Sequence, residues 1–242
     1  MGSLDWEAVT RENASIRPKA VVLMSGGLDS CVTAAIAHEN YEICALHANY
    51  GQRTEQRELE AFQAQADFFG IRTRLVVNLG YFSTIGGSSL TDPGIDVPDG
   101  DPDNKNIPNT YVPFRNAHFL AIATSWAEVI GARRIFIGAV FEDSAGYPDC
   151  RPEYYDRMNA LIETGTRPES GIRVETPLIH LRKSEIVRRG IDMGAPLDRS
   201  WSCYRLEGRA CGTCDSCRLR LVAFAESGQA DPISYEERYA EV

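Results

Sequence analysis

The chain has 242 residues, 43% of them apolar, which suffices for one α/β domain with a small appendage. Its 34 acidic side chains against 25 basic ones leave a formal charge of -9, which argues against a protein built to grip a nucleic acid backbone. No apolar run approaches the roughly 20 residues of a membrane span, and Met1 to Lys19 is polar without a signal-peptide core, so the expectation is a cytoplasmic protein with small-molecule partners, no nucleic acid and no membrane.

The first element is Ala20 to Met24, an apolar run predicted as a buried parallel strand. Ser25-Gly26-Gly27 stops it, and a helical pattern runs from Leu28 through Asn40. Adjacent glycines let successive N–H groups converge on one point, where a helix N-terminus adds positive potential; a phosphate fits there. The Walker and dinucleotide patterns are both absent. Ser25-Gly26-Gly27-Leu28-Asp29-Ser30 instead resembles the SGGxDS loop of the PP-loop ATP pyrophosphatases, which split ATP between its α and β phosphates and transfer AMP to a substrate oxygen. That resemblance makes Leu23, Met24, Ser25, Gly26, Gly27, Leu28, Asp29 and Ser30 the nucleotide-binding segment. It gives the two serines and two glycines to the pyrophosphate and Asp29 to magnesium.

Ile43 to Ala48 is a second strand, followed by Asn49-Tyr50-Gly51-Gln52-Arg53. A helix is predicted from Thr54 to Phe69 and a third strand from Arg72 to Val77. Strands alternating with helices at this pitch imply βαβ units in a doubly wound parallel sheet, whose ligands bind beyond the carboxyl ends of the strands. Between Gly86 and Pro108 no period survives, and residues 85–110 are expected to form a flexible flap near the site. A buried helix follows over 117–130, then a strand from Arg134 to Ala139. That strand delivers Glu142-Asp143-Ser144 and Tyr147 to Arg151 to the same sheet edge. A helix over 153–163, a strand over 172–176 and a helix reaching Met193 complete a domain spanning 19–195.

Residues 196–242 differ in character and are expected to form a separate C-terminal region with a helical tail. Cys203, Cys211, Cys214 and Cys217 crowd together, the last three in a C-x2-C-x2-C run. Four thiolates make a closed shell for structural zinc, able to tie down a small lobe with few apolar residues. An iron–sulfur cluster and thiol redox chemistry compete with zinc, although the bacterial iron–sulfur run continues with a nearby Cys-Pro, whereas Cys217 is followed by Arg-Leu-Arg-Leu. Cys31 and Cys44 are expected to be core residues, and His47, His118 and His180 structural ones.

Asn49 to Arg53, Tyr111-Val112-Pro113-Phe114-Arg115-Asn116, Ser144 to Arg151, Lys183-Ser184-Glu185-Ile186 and the cysteine run, in that order, resemble the QueC family of 7-cyano-7-deazaguanine synthases over about residues 19–225. The resemblance implies an adenine nucleotide alpha hydrolase-like, Rossmann-like fold with a C-terminal zinc lobe. It implies a homodimer, and a ligase that converts 7-carboxy-7-deazaguanine, ammonia and ATP into a nitrile. Many members carry Asp where this chain has Asn49. Within that reading Lys183 and Arg115, with magnesium, bridge the charges of carboxylate and triphosphate. Gln52 and Arg53 line the nucleotide or acyl side, Tyr50 or Tyr147 stacks on the ring, and Asp143 or Asp149 accepts its N–H groups. Arg151 completes the candidate substrate-binding set. Cys150 is expected to pack or touch substrate. Two other classes stay open: a PP-loop enzyme modifying tRNA, and a zinc-dependent binding module.

Overall fold

β1 (Lys19–Leu23) forms the middle of a five-stranded sheet because its side chains are buried on both faces. The computed structural model describes residues 17–101, 106–141 and 146–236. The other strands are β2 (Glu42–Asn49), β3 (Thr73–Asn78), β4 (Arg134–Phe136) and β5 (Arg173–Glu175), in the order β3-β2-β1-β4-β5, every pairing parallel. The helices are α1 (Leu28–His38), α2 (Glu55–Phe68), α3 (Tyr81–Ile85), α4 (Arg115–Ile130), α5 (Pro152–Gly165), α6 (Lys183–Asp192) and α7 (Asp215–Glu226).

Strand alternation divides the core in two. Val21 and Leu23 pack with Leu120, Ala123 and Ala127 of α4 and with Tyr155 and Ile162 of α5. Ala20, Val22 and Met24, one residue out of phase, pack with Ala34 and Ala37 of α1 and Phe62 and Ala66 of α2. Helices therefore cover both faces, as the doubly wound expectation requires. The connections after β1 run outward one way to β2 and β3, and the chain then returns to place β4 on the other side of β1. The carboxyl end of β1 is thus a switch point of the sheet, the place where a crevice opens.

Three departures from the sequence reading have local causes. β4 is shorter than the predicted strand, because after Phe136 only the Ile137 N–H bond to the Glu175 carbonyl, 3.1 Å, continues the ladder and the chain turns aside. The unpredicted α3 is a single short turn, whereas the helix within 196–242, α7, begins inside the cysteine run with Cys214 as its N-cap. The described part of the 85–110 segment has no regular structure, yet Ser88, Ser89, Leu90 and Thr91 are buried. It is tied down by arginines: Arg53 donates to the carbonyls of Ser89, Asp92 and Ile95, Arg205 to that of Val97, and Arg218 to that of Gly100.

Candidate active site

The loop after β1 depends on glycines with different duties. Gly26 has φ +84°, and a Cβ there would stand 2.4 Å from the Glu58 carbonyl oxygen, so glycine alone fits. Its carbonyl accepts from Gln65 Nε2 at 2.8 Å and from Trp201 N at 2.9 Å, clamping the loop between α2 and the cysteine segment. Gly27 is the N-cap of α1 and no side chain caps it, which leaves the first-turn amides for a ligand. The Ser25 and Ser30 hydroxyls lie 3.2 Å apart beside them. Gly138, past β4, is needed for a different reason: a Cβ there would come within 2.9 Å of the Asp29 backbone.

Asp29 and Lys183 meet across 154 residues of chain, Lys183 Nζ donating to Asp29 Oδ2 at 2.5 Å. Asp29 Oδ1 is buried and has no hydrogen-bond partner among the described residues. Both border a cavity of about 300 Å³ that starts at the phosphate loop and runs beyond the sheet edge. Its far end is aromatic. Arg115 Nη1 donates to the Tyr50 hydroxyl at 3.0 Å, with the guanidinium 5.3 Å from the centre of the Tyr50 ring. Burial opposes that charge, but Tyr50, Asp149, Tyr204 and Tyr147 around it hold Arg115 above its usual pKa. Phe114, immediately before, is the one non-glycine with positive φ among the described residues, so the turn that starts α4 at Arg115 is strained.

A third contribution comes from the C-terminal segment. Trp201, Ser202, Tyr204, Asp215, Ser216 and Leu219 all line the cavity. The same segment holds the four buried cysteines, whose sulfurs lie within 4.8 Å of one another. The Cys203 sulfur accepts backbone N–H bonds from Arg205, Leu206 and Cys211, the pattern that stabilises a thiolate, and Cys211 accepts from Thr213 and Cys214. The donor set fits a metal ion.

The family described as queuosine biosynthesis protein QueC matches residues 19–228, the segment that contains every element of this site. The chain belongs to the QueC family. Relatives named 7-cyano-7-deazaguanine synthase come from Chlorobium luteolum, 60% identical, Chlorobium phaeobacteroides, 59%, and Chlorobaculum parvum, 58%. Each aligns over 91% of this chain and 97% or 98% of its own length. Solved structures with some likeness include a U34-tRNA thiolase from Methanococcus maripaludis, with 15% identity, 90% and 68% of the two chains covered and a TM-score of 0.49. Another is the NMN synthetase of Francisella tularensis, with 15% identity, 93% and 83% covered and a TM-score of 0.43.

On this QueC-family chain the cavity brings together Leu23, Met24, Ser25, Gly27, Leu28, Asp29, Ser30, Tyr50, Arg115, Tyr147 and Lys183. Gly26 stands behind the loop. Gln52 and Arg53, expected on the nucleotide or acyl side, are not on the wall. The Gln52 amide is buried between Tyr50 N and Glu58, and the Arg53 guanidinium is consumed by the loop carbonyls of residues 89–95. Asp149, expected to accept from the substrate ring, is also off the wall: its Oδ2 accepts from Asn116 N and its carbonyl from Asn116 Nδ2 and Tyr155. It anchors the start of α4. Arg151 is the half-exposed N-cap of α5, and Asp143 lies outside the described residues. Cys150 does line the cavity, with burial pushing its thiol up to about 12, a poor setting for a nucleophile.

The sequence reading missed Glu58. Glu58 lines the cavity, its Oε1 accepting from Thr54 at 2.9 Å and its Oε2 from Gln52 at 3.1 Å. Thr54 and Glu58 stand four residues apart on one helix face, and that spacing was the available signal. Trp201 and Tyr204 were also missed, although both flank Cys203.

Proposed function

We propose that the protein is a 7-cyano-7-deazaguanine synthase, an ATP-dependent carbon–nitrogen ligase that turns 7-carboxy-7-deazaguanine and ammonia into the nitrile. Family membership supplies the substrate. The observation that carries the chemistry is one cavity holding a phosphate loop at one end and a cationic, aromatic pocket at the other. A carboxylate does not lose oxygen readily, so that oxygen must become a leaving group, and adenylation achieves this. Ammonia then displaces AMP to give an amide. A second adenylation, on the amide oxygen, lets it collapse to the nitrile. Both steps present an oxygen to the same α-phosphate, so one cavity serves for both.

The residues divide the work by charge and shape. The α1 amides with Ser25 and Ser30 bind the pyrophosphate. Lys183 and Arg115 approach the anionic centre from opposite ends, and the tyrosines flank the flat ring. The orphaned, buried Asp29 Oδ1 is suited to a cation, and magnesium held there would offset the triphosphate charge. For the cysteines zinc fits best. Around a single zinc at the usual zinc–sulfur distance, tetrahedral sulfurs stand about 3.8 Å apart. The Cys211 and Cys217 sulfurs are 3.9 Å apart. Four irons with their bridging sulfides need a wider cage. The family resemblance also favours a homodimer and a cytoplasmic location; among the described residues no helix is long and apolar enough to cross a membrane.

Mass spectrometry of a reaction with magnesium ATP, ammonium and 7-carboxy-7-deazaguanine tests this reading. Nitrile, AMP and pyrophosphate are the expected products. AMP without nitrile would move the acceptor to another acid, and no ATP turnover by folded, metal-loaded protein would overturn the enzymatic reading.

A further inference from the structure

Nitrile formation sheds three protons from one nitrogen, one on amide formation and two on dehydration. In the first step the ammonia lone pair forms the C–N bond, an N–H proton must leave, and the C–O electron pair departs with AMP. In the second, the amide nitrogen carries two protons: one leaves as the amide oxygen takes AMP from ATP and pyrophosphate departs, and the other leaves as the C–O pair goes with AMP and the nitrile forms. Lys183 and Arg115 are engaged as donors, to Asp29 and to the Tyr50 hydroxyl, and the Cys150 thiol holds its own proton. Asp29 is taken by Lys183 and, at Oδ1, by the cation proposed above, and Asp215, the other carboxylate on the wall, lies in the first turn of α7 and accepts from Asp101 N at 3.2 Å.

We infer that Glu58 is the proton acceptor in both steps, its carboxylate taking each proton from the reacting nitrogen and passing it to water before the next. This inference rests on the nitrile-forming reading above. Three observations support it. First, Glu58 is on the cavity wall while its backbone carbonyl packs on Gly26 of the phosphate loop, so it borders the region where the α-phosphate and the acyl carbon meet. Second, its orientation is imposed from outside. The Tyr50 N–H donates to Gln52 Oε1 at 2.8 Å, which turns the Gln52 NH2 toward Glu58 Oε2, and the two neutral donors hold a carboxylate without supplying a counter-charge. Third, Thr54 has two acceptors, Glu58 Oε1 at 2.9 Å and the Cys203 carbonyl at 3.3 Å, so its hydroxyl can serve Cys203 when Glu58 is protonated.

The charged and titratable groups facing Glu58 are Arg115 from α4, Tyr50 after β2 and Glu55 one turn earlier on α2. Burial pushes its carboxyl up to about 7, against the pull of Thr54, Gln52 and Arg115, and a group of that strength accepts protons near neutral pH.

Glu58→Gln keeps the shape and both neighbours. It is expected to lower kcat for nitrile formation by at least ~100-fold, the usual worth of a general base, with KM for the acid nearly unchanged. Acid-dependent exchange of labelled pyrophosphate into ATP should persist, since adenylation of the carboxylate releases no proton. The wild-type rate should rise along an acid limb near pH 7, and Thr54→Val, which removes a donor to the anion, should move that limb to higher pH. A raised KM at unchanged kcat in Glu58→Gln, or an acid limb unmoved in Thr54→Val, would overturn the assignment. Should wild-type enzyme make no nitrile, the underlying reading fails instead, and the two failures are distinguishable.

Discussion

At Gly26 the chain needs both a left-handed backbone and the absence of a side chain, because α2 presses its backbone against the loop. Gly26→Ala is therefore expected to displace the phosphate loop and to lower ATP turnover by more than ~10-fold, with a fall in Tm measurable by calorimetry. Asp29 is proposed to act on the nucleotide and not on the loop's shape. Asp29→Ala should abolish AMP formation while leaving cysteine-bound metal in place; an active variant would sink the assignment of this loop to ATP. Glu58 adds a stability signature. Its carboxyl holds a proton up to about pH 7 in the folded protein, against an ordinary value of 4.5. The folded state then binds more protons than the unfolded chain within that window, so stability falls as pH rises from about 4.5 to 7. In Glu58→Gln the Tm should lose that slope.

Among the elements, α7 joins the cysteine cluster and the cavity in one piece. Cys214 caps it, Cys217 lies in its first turn, and Asp215, Ser216 and Leu219 from the same turns line the cavity. Loss of metal should therefore impair binding as well as folding. Cys214→Ser is expected to lose bound metal, by elemental analysis, and to raise KM for the acid several-fold wherever the variant stays folded; a metal-free variant with unchanged KM would separate the two. The middle of α7 is fixed by Arg220, wholly buried, which forks onto Asp231 at 2.7 and 2.9 Å and also donates to Ser200 and to the Leu197 carbonyl. Breaking such a pair strands a charge in the interior. Asp231→Asn is expected to cost about 3 kcal/mol, read from denaturant unfolding.

For the molecule as a whole, the acidic balance predicts no salt-dependent retention of tRNA at physiological ionic strength, checked by filter binding with added salt. A tight, salt-sensitive complex would revive the tRNA-modifying reading. The alternation of strands and helices, the glycine loop after β1 and the cysteine set were all legible in the sequence, because they are local: hydrophobic period, a glycine pair at a strand end, the spacing of four thiols. So was the family, carried by short motifs in fixed order. Other features come from distant contacts, and no window of sequence contains them. The pairing of Asp29 with Lys183, the diversion of Arg53 and Asp149 into structural bonds, and the entry of Trp201 and Tyr204 into the cavity arise when parallel crossovers bring separate loops to one sheet edge. Glu58 belongs with these. Its residue type and helix were visible in the chain, but its place on the cavity wall and its proton affinity follow from burial against Gln52, Thr54 and Arg115, which only the folded chain supplies.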